Sequence, residues 1–264
     1  MSSLKTVWAS ITARAKELGV PSRERGILRE YLQVKTLDYV YSQKKSDKLS
    51  FIGGTSLRLL RNLPRFSEDL DFDNLGVSDP EMIEIMHYVR DRFESENIPV
   101  ELFEKITDGK TYFELRFPDL LSELSISTNP REKLMIKVDY SRQWRGQKTE
   151  VIILNRFGVV QHVIANTLDQ ILVEKLGAYV GRKTVQPRDM YDVVWLVAQG
   201  ARLDRVFMEE NGVGDLVEKT VERLDHDGVT REMKQKLAPF LFVTGDENKL
   251  DLFYEIIKKV KSVK

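Results

Sequence analysis

The chain contains no cysteine and only three histidines, His87, His162 and His226. Disulfides, thiolate nucleophiles and Cys-containing zinc sites are thereby excluded, and a histidine-rich metal cluster has too few ligands. Long apolar runs are missing as well. No window approaches the ~20 consecutive apolar residues that a membrane helix requires, and the opening "MSSLKTVWASITARAKELG" is an amphipathic helix pattern without a signal-peptide apolar region. A cytoplasmic protein with no membrane contact is the expectation. Neither sign of charge is in excess, since 41 Lys and Arg balance 41 Asp and Glu, so bulk charge does not announce a nucleic-acid binder. The P-loop and the dinucleotide fingerprint are both absent. Whatever chemistry the chain performs must use carboxylates, hydroxyls, Lys or Arg.

What is present is a globular chain of 264 residues, 42% of them hydrophobic, enough to bury a core in one large domain or two modest ones. Helical spacing dominates 4–19 and 23–45, giving an N-terminal helical lead-in over 1–48. A mixed stretch of strands and helices over 49–165 follows, then a mainly helical lobe over 166–264, so the fold class is α+β. Within the middle stretch "LSFIGG" reads as a short buried strand ending in a glycine turn, and "TSLRLLRN" restores the helical period. "EDLDFDN" alternates strictly, the pattern of a half-buried strand. Ser78 and Glu81 form a capping box for the helix that carries Met82, Ile85, Met86 and Val89. Asp108-Gly109 marks a hairpin, and "LSISTN" and "KLMIKVDYS" are further strand candidates. Thr167 with Gln170 is expected to cap the next helix, Pro187 to open another and Gly200 to end it.

The stretch "FIGGTSLRLLRNLPRFSEDLDFDN" raises the question of function. Like charges on one strand face repel, yet Asp69, Asp71 and Asp73 stand at alternate positions. Two carboxylates two positions apart on a strand are roughly 7 Å apart, at about 3.3 Å per residue, a spacing suited to divalent cations with hard oxygen ligands such as Mg²⁺ or Mn²⁺. Upstream, Gly53-Gly54 with Thr55 and Ser56 opens a helix whose first N–H groups and positive end suit phosphate oxygens. Glycine permits the backbone to approach closely. Taken singly, each feature has an ordinary structural explanation, a solvated edge or a capped turn; their combination at this spacing is what points to nucleotide chemistry.

The G-G-T/S turn followed by D-x-D resembles the signature of the DNA polymerase beta nucleotidyltransferase superfamily. In the form "GGTSLR…RFSEDLDF", with "EKLGAYVGRKTVQPRDMYDVVWL" downstream, it is similar to the AbiE-type nucleotidyltransferase toxins of toxin–antitoxin systems over roughly residues 50 to 200. That resemblance implies a polymerase-beta-like core, a mixed sheet with flanking helices, plus the helical C-terminal lobe. It also implies a metal-dependent transfer of a nucleotide from an NTP, in some members to the 3′ end of tRNA, and restraint by a cognate antitoxin. Gly53, Gly54, Thr55 and Ser56 would hold phosphate, with Arg58, Arg65 and Ser67 as further partners. Asp69 and Asp71 would be metal ligands, and Asp139 at the end of "KLMIKVD" the third carboxylate or an ion-pair partner of Lys137. Lys175 would face the triphosphate as a point charge, with Asp189 or Asp192 orienting it or an Arg. Arg142, Arg145, Lys148, Arg182 and Lys183 would suit an RNA backbone, while Trp144 and Tyr140 could stack on a base or simply pack. Rival expectations are a glycosyltransferase, which leaves the glycine turn unexplained, a nucleotidyltransferase acting on a small-molecule or protein hydroxyl, and a non-catalytic module retaining the fold.

Overall fold

A computed structural model describes residues 3–107 and 110–262. The chain divides into two compact units: Met1–Arg61, Phe66–Arg142 and Val151–Ala165 form the first, and Asn62–Arg65, Gln143–Glu150 and Asn166–Lys264 the second.

The first unit begins with α1 (Ser3–Glu17) and α2 (Glu24–Tyr41). The apolar positions of α2 recur at helical spacing, and Ile27, Leu28, Leu32, Val34, Leu37 and Val40 are all buried. β1 (Leu49–Ile52) runs directly into α3 (Gly53–Arg61), and β2 (Leu70–Asn74) and α4 (Asp79–Ser95) follow. Then come β3 (Glu101–Thr107), β4 (Lys110–Phe117), the single turn α5 (Leu120–Glu123), β5 (Leu134–Ser141), β6 (Thr149–Arg156) and β7 (Val159–Asn166). The strands form one sheet in the order β3-β4-β5-β2-β1-β7-β6. β1 is antiparallel to β2 but parallel to β7, and β2 is parallel to β5, so the sheet is mixed. At its centre Phe51 and Phe72 meet with ring centroids 5.3 Å apart. The capping box forms as its sequence dictates: the Ser78 N–H donates to Glu81 at 2.9 Å, and the Glu81 N–H donates to the Ser78 hydroxyl at 3.4 Å.

Several local expectations need correction. "LSISTN" is not a strand: Ser125 has φ +59°, and the N–H groups of Ile126 and Ser127 turn back to the Leu121 carbonyl at 2.8 and 3.1 Å. Those donors are therefore spent locally and cannot join a ladder. Thr167 stands at the N-cap of α6 (Leu168–Gly181) but makes no side-chain capping bond. Gln170 instead accepts from the Lys148 N–H at 2.7 Å and donates to the Gly146 carbonyl at 3.0 Å. β6 and β7 were not anticipated, because their turn, Phe157-Gly158 at φ +52° and +82°, puts Phe where Asn or Asp usually signals a tight hairpin. Phe157 is retained by packing, edge-on to Tyr31 at 5.8 Å. The Asp108-Gly109 turn lies outside the described residues, although Thr107 and Lys110 on either side of it are paired.

The second unit is helical: α6, α7 (Pro187–Ala198), α8 (Arg205–Glu210), α9 (Leu216–Asp227), α10 (Arg231–Leu237) and α11 (Phe253–Ser262). Pro187 occupies the first turn of α7, and Gly200, at φ +88°, follows its end.

Deep in the first unit Glu30, Arg58 and Arg156 form a buried charge network, each 4% exposed or less. Glu30 accepts from Arg58 Nε and Nη2 at 2.9 and 3.0 Å and from Arg156 Nη1 at 3.2 Å. Arg156 also donates to the Leu59 and Arg58 carbonyls at 2.7 and 3.3 Å, satisfying acceptors that the last turn of α3 leaves without intrahelical donors. Burial, reinforced by Arg58 and opposed by Glu30, pulls the Arg156 guanidinium down to about 10. A buried ion pair adds little net stability, but breaking one is costly. Glu30→Ala removes the carboxylate that both guanidiniums share, and urea unfolding should show a loss of about 3–5 kcal/mol. A change within about 0.5 kcal/mol, the scale of a neutral surface substitution, would contradict this account.

Candidate active site

In the first unit the β1–α3 junction lies against β2. Ile52 is opposite Asp71 in the antiparallel register, which brings the next residue, Gly53, alongside the Asp71 carboxylate. Gly53 adopts φ +76°, and a methyl group at its Cα would lie 2.5 Å from Asp71 Oδ2. The left-handed conformation favours glycine, and a side chain here would also have to displace the Asp71 carboxylate. Gly54, Thr55 and Ser56 continue into the first turn of α3 and are buried. The N–H groups of this turn have no intrahelical partner and sit at the positive end of the helix. The Thr55 hydroxyl, expected to be available to phosphate, donates to the Asp69 carbonyl. It ties the turn to the start of the acidic strand.

The three aspartates differ in depth. Asp69 is exposed and precedes β2, Asp71 is half-buried on the strand, and Asp73 is fully buried. β2 pairs in parallel with β5, and Asp139 is the register partner of Asp71. The two carboxylate-bearing residues thus sit side by side on neighbouring strands. Lys137, two residues earlier on β5, places Nζ 2.5 Å from Asp139 Oδ2 and 4.7 Å from the centre of the Tyr112 ring. Burial lowers the affinity of Lys137 for its proton, but the hydrogen bond to Asp139 and the charges of Asp139, Asp69 and Asp71 outweigh it, and the net shift is upward. Asp139 Oδ1 is buried with no hydrogen-bond partner.

Hard oxygen donors of this kind suit a divalent cation, and the close Gly53 cradle and the unsatisfied Asp139 oxygen fit that use. Among the described residues, no three His, Cys, Asp or Glu side chains stand close enough together to hold an ion in their present orientations. Lys137 occupies Asp139 instead.

Arg58 and Arg65, expected beside phosphate, are each directed at a buried carboxylate: Arg58 at Glu30 as described, and Arg65 at Asp192. The Ser67 carbonyl accepts from Gln33 at 3.1 Å, which anchors the segment leading into β2. Tyr140 is buried with its hydroxyl donating to Asp79.

The second unit carries the remaining motif residues as one cluster. Lys175 Nζ lies 3.0 Å from Asp189 Oδ1 and 2.8 Å from Asp192 Oδ2. Arg65 donates to both Asp192 oxygens at 2.7 and 2.6 Å, a bidentate geometry stronger than a single neutral hydrogen bond. Arg182 Nε is 3.0 Å from Asp189 Oδ2. Burial opposes charge on both Lys175 and Asp192, yet each is held in its ionised form: Asp192 and Asp189 push Lys175 up, and Arg65 and Lys175 push Asp192 down. Lys175 is therefore no exposed helix lysine, and Glu174 binds Asn166 instead. Trp144 is half-buried and stacks on Phe207, centroids 5.2 Å apart. Lys148 is paired with Asp204 at 2.7 Å. Reading the sequence did not mark Tyr112, Gln33 or Glu30, because their roles depend on strand register and on burial rather than on a local motif.

The strand, glycine turn and helix set against an acidic strand, with a second carboxylate in register on a parallel neighbour, belong to a mixed seven-stranded sheet with flanking helices, an α+β fold. The chain belongs to the family described as nucleotidyl transferase AbiEii toxin, type IV TA system, which matches residues 38–251, and it is a nucleotidyltransferase enzyme of that family. No curated protein sequence matches it. Among solved structures it is similar to MenT4, a nucleotidyltransferase toxin from Mycobacterium tuberculosis H37Rv, with a TM-score of 0.59 and 18% identity over 96% of this chain and 90% of that one. A candidate nucleotidyltransferase from H. pylori gives 0.55 at 18% identity over 91% and 98%, and JHP933 from Helicobacter pylori gives 0.50 at 18% over 90% and 94%. At that identity the likenesses establish the shared fold.

The contact between Gly53 and Asp71 leads to a test by double-mutant cycle. Gly53→Ala should destabilise the protein by more than the ~1–2 kcal/mol of a left-handed alanine, because the methyl must also displace a carboxylate. Asp71→Ala should relieve part of that loss, with a coupling of about 0.5–3 kcal/mol between the two positions. Strict additivity would contradict the proposed contact.

Proposed function

We propose that the chain transfers a nucleotide from an NTP to the 3′ end of tRNA, with the Gly53-Gly54 turn holding phosphate and Asp69, Asp71 and Asp139 holding divalent cations. The carrying observation is the register pair Asp71 and Asp139 beside a turn whose left-handed backbone favours glycine. The N–H groups of the α3 turn would bind triphosphate oxygens, drawing on the positive helix end. An acceptor hydroxyl attacks the α-phosphorus in line, a new P–O bond forms, and the bond to the pyrophosphate leaving group breaks. In this reading Asp139 would take the proton that the hydroxyl gives up. When bound, Mg²⁺ or Mn²⁺ supplies charge neutralisation at the phosphates. Lys175, Asp189, Asp192 and Arg65 carry the family's remaining motifs, and Asp189 and Asp192 keep Lys175 charged.

The RNA acceptor rests on the resemblance to AbiE-type toxins, some of which modify tRNA, and is supported by basic side chains such as Arg145 and Lys183, both exposed. With Trp144 and Tyr140 engaged in packing, RNA would be held through its phosphates, so binding should weaken steeply with salt. A type IV toxin implies an antitoxin partner; the absence among the described residues of any helix long and apolar enough to cross a membrane accords with a cytoplasmic target.

Incubation with each labelled NTP, Mg²⁺ or Mn²⁺ and total tRNA, beside Asp71→Ala, tests the reading. Label should enter tRNA with the intact protein and fall by at least about a hundredfold in the variant, the scale of a lost transition-state electrostatic contact. Label on protein or on a small molecule would reject the RNA acceptor, and transfer unaffected by Asp71→Ala would reject the site.

A further inference from the structure

The acidic strand pair holds its own cation. Lys137 lies on β5 with its ammonium on Asp139 Oδ2, and the side chain is only 25% exposed. Its register neighbour on β4 is Glu114, whose carboxylate is engaged by Arg116 at 2.6 and 2.9 Å. Asp69 and Asp71 also act on the ammonium through their charge. Lys137 therefore belongs electrostatically to the aspartates rather than to Glu114. The Tyr112 ring face, 4.7 Å away, is within the ~6 Å range of a cation–π contact, so the ammonium keeps a partner if it releases Asp139.

We propose that Lys137 is a resident counter-ion that neutralises Asp139 until a divalent cation arrives, and that it sets the cation affinity of the site by having to yield that carboxylate. This rests on the reading of Asp71 and Asp139 as cation ligands. A divalent ion on Asp139 Oδ1, the oxygen without a hydrogen-bond partner, would stand a few ångströms from the ammonium on Oδ2, and their repulsion in a partly buried site is large. A four-carbon side chain on a strand can swing without moving the backbone. The carboxylates, already flanked by a positive charge, need not repel one another when no metal is bound. Lys137 thus makes the site tolerable in the resting state and selective for a strongly binding, doubly charged ion.

The experiment is direct titration of the full chain with Mn²⁺, without nucleotide, reading free Mn²⁺ by electron paramagnetic resonance. Lys137→Met, which keeps the length and removes the charge, should bind Mn²⁺ about tenfold or more tightly; Lys137→Gln should act in the same direction and guards against a packing fault in the first variant. Lys137→Arg, retaining the charge, should stay near the wild-type affinity. Unchanged or weaker Mn²⁺ binding in both uncharged variants would overturn the role of Lys137. Asp71→Asn reports on the underlying reading separately. Loss of Mn²⁺ binding there supports the carboxylate site whatever Lys137 does, and wild-type binding there would remove both the site and the counter-ion assigned to it.

Discussion

The arrangement depends on one close approach, the backbone of Gly53 against the carboxylate of Asp71. Opposing strands place those residues together because Ile52 and Asp71 are register partners, and the left-handed backbone at φ +76° favours glycine. Thr55 fixes the same geometry from the helix side by donating to the Asp69 carbonyl. The N-terminus of α3 and the acidic strand are consequently held as one rigid corner. β5 adds Asp139 at the level of Asp71 through the parallel register, so the position of the third carboxylate follows from the pairing and not from sequence distance.

Charge burial recurs in both units with different partners. Within the first, Glu30 joins Arg58 and Arg156 and secures the C-terminal end of α3. Within the second, Lys175 and Arg65 share Asp192, and Asp189 takes the remaining side of Lys175. Buried ion networks of this kind are poor sources of stability but hold their members to a single geometry when every charge has a partner. The difference lies in what each network fixes: the end of a helix in one unit, the charge state and direction of a lysine in the other.

Much of this was legible in sequence because it is local. The capping box at Ser78 and Glu81 and the alternation of "KLMIKVDYS" act over a few residues and formed as read, whereas "EDLDFDN" forms a strand from Leu70 onward with Asp73 fully buried rather than on a solvated face. The AbiEii family and the α+β fold followed from motifs of the same short range. Non-local packing decided the rest. Phe157 takes a left-handed turn because Tyr31 packs on it, Gln170 abandons the cap for the backbone of the 143–150 segment, and Arg58 turns to a glutamate 28 residues earlier. The adjacency of Asp71 and Asp139 could be suspected from pattern but required strand order to be drawn. In the sequence Lys137 is only a charge two residues from Asp139; the strand face puts its ammonium on the Asp139 carboxylate.

The most direct test of the account is the location of Mn²⁺ by anomalous X-ray scattering in crystals grown with a non-hydrolysable NTP. The account predicts a metal peak coordinated by the carboxylates of Asp71 and Asp139, phosphate oxygens against the N–H groups of the α3 turn, and Lys137 released from Asp139. A peak elsewhere, with Lys137 still bonded to Asp139 and the glycine turn empty of phosphate, would contradict it.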